Sequence, residues 1–184
     1  MNKIAVFGTI VSLLLISCGE ESTPKPQAQL RLEYPNSSYG LLEGTCPFTF
    51  SVNDVATIKS NKPCTFEINY PKMKGTIYIT YKNVNNNIDS LLRDAQKLTY
   101  DHAVKADEII TQPFINPNKR VYGMFSEVGG NAATNAQFYV TDSTKNFIVG
   151  SMYFYAKPNF DSILPAASYI KDDIRKIMET IEWK

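Results

Sequence analysis

Phe66-Glu67-Ile68-Asn69-Tyr70 and Gly75-Thr76-Ile77-Tyr78-Ile79-Thr80-Tyr81, joined by Pro71-Lys72-Met73-Lys74, decide the fold class. In both runs apolar residues alternate with polar ones, the period of a half-buried strand. Pro71 cannot continue a ladder, and Lys72 to Gly75 makes a natural turn, so the pair reads as a hairpin. Upstream, Phe48, Phe50 and Val52 alternate in the same way and predict one more short strand. The rest of residues 30–62 is irregular, with turn residues at Pro35-Asn36-Ser37-Ser38 and at Gly44.

Downstream the period changes. Beyond Asn85-Asn86-Asn87, the residues Ile88, Leu91, Leu92, Ala95, Leu98, His102, Ala106 and Ile109 recur at helical spacing. Asn86 or Asn87 can cap that helix, and Asp89 favours the positive end of its dipole. Past Pro113 and Pro117 come strand-like runs at Val121–Val128, Ala136–Thr141 and Phe147–Tyr155, with hairpin connectors at Gly129-Gly130-Asn131 and Asp142-Ser143-Thr144. A closing helix runs from about Asp161 to Thr180, capped by Asp161 or Ser162, with Ile163, Ala167, Ile170, Ile174, Ile177 and Ile181 along one side. Strands, helix, strands, helix predict an α+β domain: a mainly antiparallel sheet with two long helices packed on it. The succession resembles the Mog1/PsbP-type order of elements.

The amino terminus reads as an address. Lys3 precedes an uncharged, mostly apolar run over residues 4–17, too short for the ~20 residues that span a bilayer as a helix. It ends in Leu15-Ile16-Ser17-Cys18-Gly19, which resembles the bacterial lipobox. Three segments follow: a lipoprotein signal peptide (1–17), a lipidated Cys18 opening a Pro-containing tether (18–29), and one globular domain (30–184). At roughly 0.8 kcal/mol per buried methylene, acyl chains on Cys18 would hold the chain to its membrane. The expected location is the cell envelope, facing the periplasm.

The chain has 184 residues, 43% hydrophobic and 12% aromatic, with 19 basic and 18 acidic side chains. Loss of residues 1–17 removes Lys3 and no acid, so the mature chain is neutral, and neither nucleic acid nor an anionic surface is an expected partner. With Cys18 lipidated, Cys46 and Cys64 remain. In an oxidising compartment an even remainder favours one disulfide over two free thiols or a metal pair.

Known catalytic signatures are missing. No Gly-x-Ser-x-Gly elbow, phosphate-cradling glycine loop or dinucleotide fingerprint occurs, and a metal held by Cys46 and Cys64 would need further ligands at workable spacing from a chain with a single histidine. His102, on the apolar stripe, reads as a buried and satisfied core residue. Asp172-Asp173 reads as a solvated pair. Glu127 with Asp142 would make a hydrolase pair only if folding brought them together. The expectation is a protein without catalytic residues, metal or cofactor.

Two features point to recognition. Met152-Tyr153-Phe154-Tyr155 puts aromatic residues on both faces of one strand, which is either central and covered on both sides or a docking patch. The small, polar loop Gly129-Gly130-Asn131-Ala132-Ala133-Thr134-Asn135 is either a permissive hairpin or a recognition loop. The candidate partner surface is therefore Gly129, Gly130, Asn131, Tyr153 and Tyr155.

Several stretches together resemble the GldD family of gliding-motility lipoproteins. They are the lipobox Cys18, Pro24-Lys25-Pro26, Leu30-Arg31-Leu32-Glu33-Tyr34-Pro35, Tyr70-Pro71-Lys72-Met73-Lys74 and Tyr81-Lys82-Asn83-Val84-Asn85-Asn86-Asn87. Tyr122-Gly123-Met124, Glu127 to Ala133, Phe138 to Lys145 and Ala156-Lys157-Pro158-Asn159 complete the set. The resemblance implies a non-enzymatic envelope lipoprotein needed for gliding. Its partners would be other gliding-motility lipoproteins and the type IX secretion machinery. It also implies that Asp89-Ser90-Leu91, Asp142-Ser143-Thr144 and Asp161-Ser162-Ile163 are O-glycan acceptors or, equally, ordinary helix starts and a turn. An alternative function is the binding of envelope glycan or peptidoglycan fragments.

Overall fold

A computed structural model describes residues 34–101, 106, 108–130, 134–155 and 160–184. The hairpin that opened the sequence reading lies near the middle of a seven-stranded, wholly antiparallel sheet. In chain order its strands are β3 (Thr57–Lys62), β4 (Thr65–Tyr70), β5 (Gly75–Asn83), β6 (Glu108–Asn116), β7 (Val121–Gly129), β8 (Thr134–Thr141) and β9 (Asn146–Phe154). Their order across the sheet is β3-β4-β5-β9-β8-β7-β6. A smaller sheet holds β1 (Tyr39–Leu42), β2 (Phe48–Asn53) and β10 (Glu182–Trp183) in the order β1-β2-β10. Two helices complete the described fold, α1 (Ile88–Asp101) and α2 (Phe160–Thr180). This is the α+β architecture expected.

The alternation of each strand decides which face it serves. Ile77↔Met152 and Ile68↔Ile77 are cross-strand partners on one face, joined there by Ile79, Phe138, Val140 and Ile148. Against that face pack Ile170, Ile174 and Ile177 of α2 and Phe48, Phe50 and Val52 of β2, all buried. Gly150 lies opposite Phe138 in the register, and a Cβ there would collide with the Phe138 ring. The glycine is what lets this ring lie flat in the core. The other face is covered by α1 in one place, where Leu91 and Ala95 close over Phe147, Tyr139 and Val149.

Two devices fasten the small sheet to the rest. The Cys46–Cys64 disulfide, spanning 18 residues, joins the start of β2 to the start of β4 across a Cα separation of 5.5 Å. The second is polar. Asp173 of α2 accepts from the Tyr39 hydroxyl (2.6 Å) and from Nδ2 of Asn53 (2.9 Å), holding β1 and β2 against the helix.

That arrangement corrects the reading of Asp172-Asp173 as a solvated pair: Asp173 is 1% exposed. Burial keeps its carboxyl above the ordinary carboxylate range, although the Tyr39 and Asn53 donors pull the other way. Other expectations change too. The first long helix does not reach Ile109; it ends at Asp101, and Ile109 belongs to edge strand β6. Pro113 within β6 reads as a breaker in sequence, but an edge strand tolerates it. The stretch read as irregular contains β1 and β3, and β3 is exposed at every position, so no alternation marks it. Asn87 takes the Asn85 N–H with its side chain rather than a helix N–H. α2 starts at Phe160, one residue before the expected cap, and Ile181 follows the helix while staying fully buried. Residues 1–33, His102 and Asn131 lie outside the described residues.

Joint replacement Cys46→Ser and Cys64→Ser is expected to lower the unfolding free energy by about 3 kcal/mol, the loop-closure value for a bridge of this span. Urea unfolding of wild type and variant, each with and without reductant, checks this. Reductant should lower the wild type to the variant's value and leave the variant unmoved.

Candidate interaction surface

Because β9 pairs with β5 on one side and β8 on the other, its odd-numbered residues join rows that cross the sheet on the α1 face. One row reads Thr57–Asn69–Thr76–Tyr153–Thr134, and the next Lys59–Glu67–Tyr78–Ser151–Gln137. Helix α1 covers only the β8 end of the second row, where Gln137 donates to the Ala95 carbonyl (2.9 Å). Toward β3 the rows open to solvent. What they present there is the hydroxyl of Thr57, the amide of Asn69 and two aromatic rings: the buried Thr76 hydroxyl donates to Oδ1 of Asn69 (2.9 Å) from beneath, and the rings of Tyr78 and Tyr153 meet edge to face at 5.7 Å.

Tyr155, just past β9, stands 64% exposed at the end of this face, and its hydroxyl shares a hydrogen bond with that of Tyr78. That bond, with some burial, pushes the Tyr78 phenol up to about 12, so Tyr78 stays neutral at physiological pH. Below Tyr155 lies a depression of about 380 Å³ whose walls include Thr57, Lys59, Asn69, Lys74 and Thr76.

The structure therefore brings together four of the five residues named from sequence. Tyr153 and Tyr155 share one end of the sheet. Gly129 closes β7 at that end, and Gly130 (φ 86°) turns the chain toward β8 with a backbone only glycine adopts freely. Thr134, where β8 begins, is the register partner of Tyr153, so the hairpin and the tyrosines are neighbours. The strand is central, as one of the two readings had it: its Met152 face is covered throughout, and its other face is covered by α1 at Phe147 and Val149 but open at Tyr153. Sequence reasoning missed Tyr78, Asn69 and Thr76. Their signal was the polar half of the β5 alternation, which gains meaning only once β4 and β9 are known to flank it.

The carboxylates considered for hydrolysis have other work. Burial tends to raise Glu127, but Lys171 (2.6 Å) and Arg175 outweigh it and hold the carboxyl below its usual range. Asp142 is also raised by burial, yet the N–H groups of Thr144, Lys145 and Asn146, at 2.8–2.9 Å, bring it down to about 2. A general acid at neutral pH needs the opposite shift. Asp142 instead shapes the β8–β9 hairpin, in which Ser143 (φ 67°) is exposed; Ser90, in the first turn of α1, is exposed as well. Among the described residues no cluster of three metal-ligating side chains occurs, and no helix is long and apolar enough to cross a membrane.

Residues 19–183 match the family model described as gliding motility lipoprotein GldD, and the chain belongs to that family. No curated protein matches it.

The hairpin carboxylate gives a pH signature. The folded state holds Asp142 below its unfolded value of 3.8, so its contribution is complete above about pH 4 and fades as pH falls toward 2. Asp142→Asn is accordingly expected to be less stable than wild type at pH 6, with the gap narrowing between pH 4 and 2. Denaturant melts across that range measure it; a gap that does not change with pH would contradict the assignment.

Proposed function

We propose that this gliding motility lipoprotein is secreted behind residues 1–17, is anchored at the envelope membrane through acylated Cys18, and faces the periplasm. There it acts without catalysis. It is an assembly component that docks gliding-motility lipoproteins and proteins of the type IX secretion machinery. Residues 18–29 serve as the tether between membrane and domain.

The observation that carries this reading is the open half of the α1 face, where Tyr78, Tyr153 and Tyr155 stand among Thr and Asn side chains. Tyrosines offer large contact area with a polar handle, and residues of this type dominate protein interfaces. They occupy one end of the sheet beside the Gly129-Gly130 turn. Anchoring two such proteins to one membrane raises their effective concentration, so modest contact area is enough to hold a complex together.

A second reading has its own support. The depression beside Tyr155 pairs an aromatic wall with the amide of Asn69 and the exposed hydroxyl of Thr57, groups suited to a sugar. Saturable binding of a defined peptidoglycan fragment, lost on Tyr153→Ala, would move the assignment from assembly to glycan capture.

Cys18→Ala is expected to leave a folded chain that no longer fractionates with membranes, in cells that no longer glide. The double variant Tyr78→Ala, Tyr155→Ala should stay anchored and folded. It should nevertheless lose the envelope proteins that co-purify with wild type from gently solubilised membranes, a weakening of about 2 kcal/mol or more. Undiminished co-purification by the double variant would remove the tyrosine face from the account.

A further inference from the structure

Among the described residues the large sheet has two free edges, and they are guarded unequally. β3 carries Lys59 and Lys62 with a register irregularity between them, both of which discourage a further strand. β6 runs 9 residues without a lysine or arginine, keeps unbroken register with β7, and leaves Ile110 45% and Ile115 68% exposed. Its guard is Pro113 alone.

On the side where α2 lies, β6 and the helix enclose two cavities in line. The first, about 150 Å³, has Ile110 of β6 on one wall and Leu164 and Ala167 of α2 on the other. The second, about 130 Å³, lies between Phe114 and Met178. Cavities of this order admit a benzene-sized group. The ion pair of Glu127 with Lys171 and Arg175 contributes to both: Glu127 and Lys171 to the first wall, Arg175 to the second.

A further observation points outward. The register shift between Thr134 and Ala136 sets Asn135 out of the β8 alternation and into the lining of the first cavity. Asn135 is 4% exposed, and its Nδ2 has no hydrogen-bond partner among the described residues. A buried donor left without an acceptor is costly. At the two ends of the groove stand Glu108 and Glu179, neither with an ion-pair partner among the described residues.

We propose that the groove between β6 and α2 receives an extended segment of a partner protein, added to the sheet as an eighth strand. Two aliphatic side chains four residues apart fill the cavities; four residues of strand cover about 13 Å, the same run as Ile110 to Phe114. Basic residues two positions outside each aliphatic one meet Glu108 and Glu179. Charge selects a basic-flanked partner strand over a second copy of this chain, because β6 itself has no basic residue to offer. The groove is on the opposite side of the sheet from the tyrosines, so it stands or falls separately from them.

The test uses the full chain in detergent micelles and two synthetic peptides of one composition. KTVTSTVTK places both valines and both lysines on one side of a strand; KTTVSVTTK moves the valines to the other side. Calorimetric titration should show saturable binding of the first and at least about tenfold weaker binding of the second. Ile110→Lys should weaken the first by about tenfold or more, Ile58→Lys on β3 should leave it unchanged, and thermal melting confirms that both variants fold. Amide exchange over residues 108–116 should slow when the first peptide is added. Equal affinity for the two peptides, or no binding of either, overturns the proposal. So does a concentration-dependent dimer abolished by Ile110→Lys, which would give the edge to a second copy.

Discussion

A seven-stranded antiparallel sheet has two broad faces, and two helices cannot cover both. The rest of the structure follows from how that shortage is met. The apolar face receives α2 together with β2 of a second, three-stranded sheet, so that Ile170, Ile174, Phe50 and Ile77 are all but sealed from solvent. Among the described residues the opposite face receives only α1. Where the helix stops, side chains must tolerate water, and there the rows turn to Thr, Asn, Lys and Tyr.

The apolar cover is assembled from parts distant in the chain and has to be held in place. β2 and α2 are separated by most of the sequence, and β2 belongs to a different sheet from the strands it covers. The Cys46–Cys64 bridge limits its movement at one end, and the Asp173 carboxylate, taken up by Tyr39 and Asn53, limits it at the other. The disulfide suits an exported protein. The buried acid costs desolvation in return for a defined seating of the helix, a use of polar groups that apolar packing alone does not supply.

The faces left incomplete are those on which the proposed interactions rest. The tyrosine end, the β6 edge and the groove beside α2 are places where this fold stops short of satisfying itself, by exposure, by unpaired strand edge or by the unpartnered Asn135. Membership of a gliding motility lipoprotein family fits a domain whose distinguishing features are surfaces rather than a reactive centre. Three of its acidic residues are spent on structure: Asp142 on a hairpin, Glu127 on an ion pair, Asp173 on joining the sheets.

Sequence alone determined the elements whose burial is regular. β2, β4, β5, β7, β8 and β9 alternate, and α1 and α2 keep a helical stripe, because a half-buried element must show its period in the residues it hides. It also favoured the pairing of Cys46 with Cys64 once Cys18 was read as the lipid site, and the structure holds that bridge. Tertiary structure decided everything at the margins. β3 and β6 lie at edges, where burial is slight and no period is imposed; a chance continuation of the α1 stripe to Ala106 and Ile109 then misread the approach to β6 as helix. The burial of Asp173 and the alignment of Tyr78 with Tyr153 and Tyr155 depend on which strands and helices become neighbours. Neighbours far apart in the chain leave no mark in local spacing, so those contacts exist only once the sheet has closed.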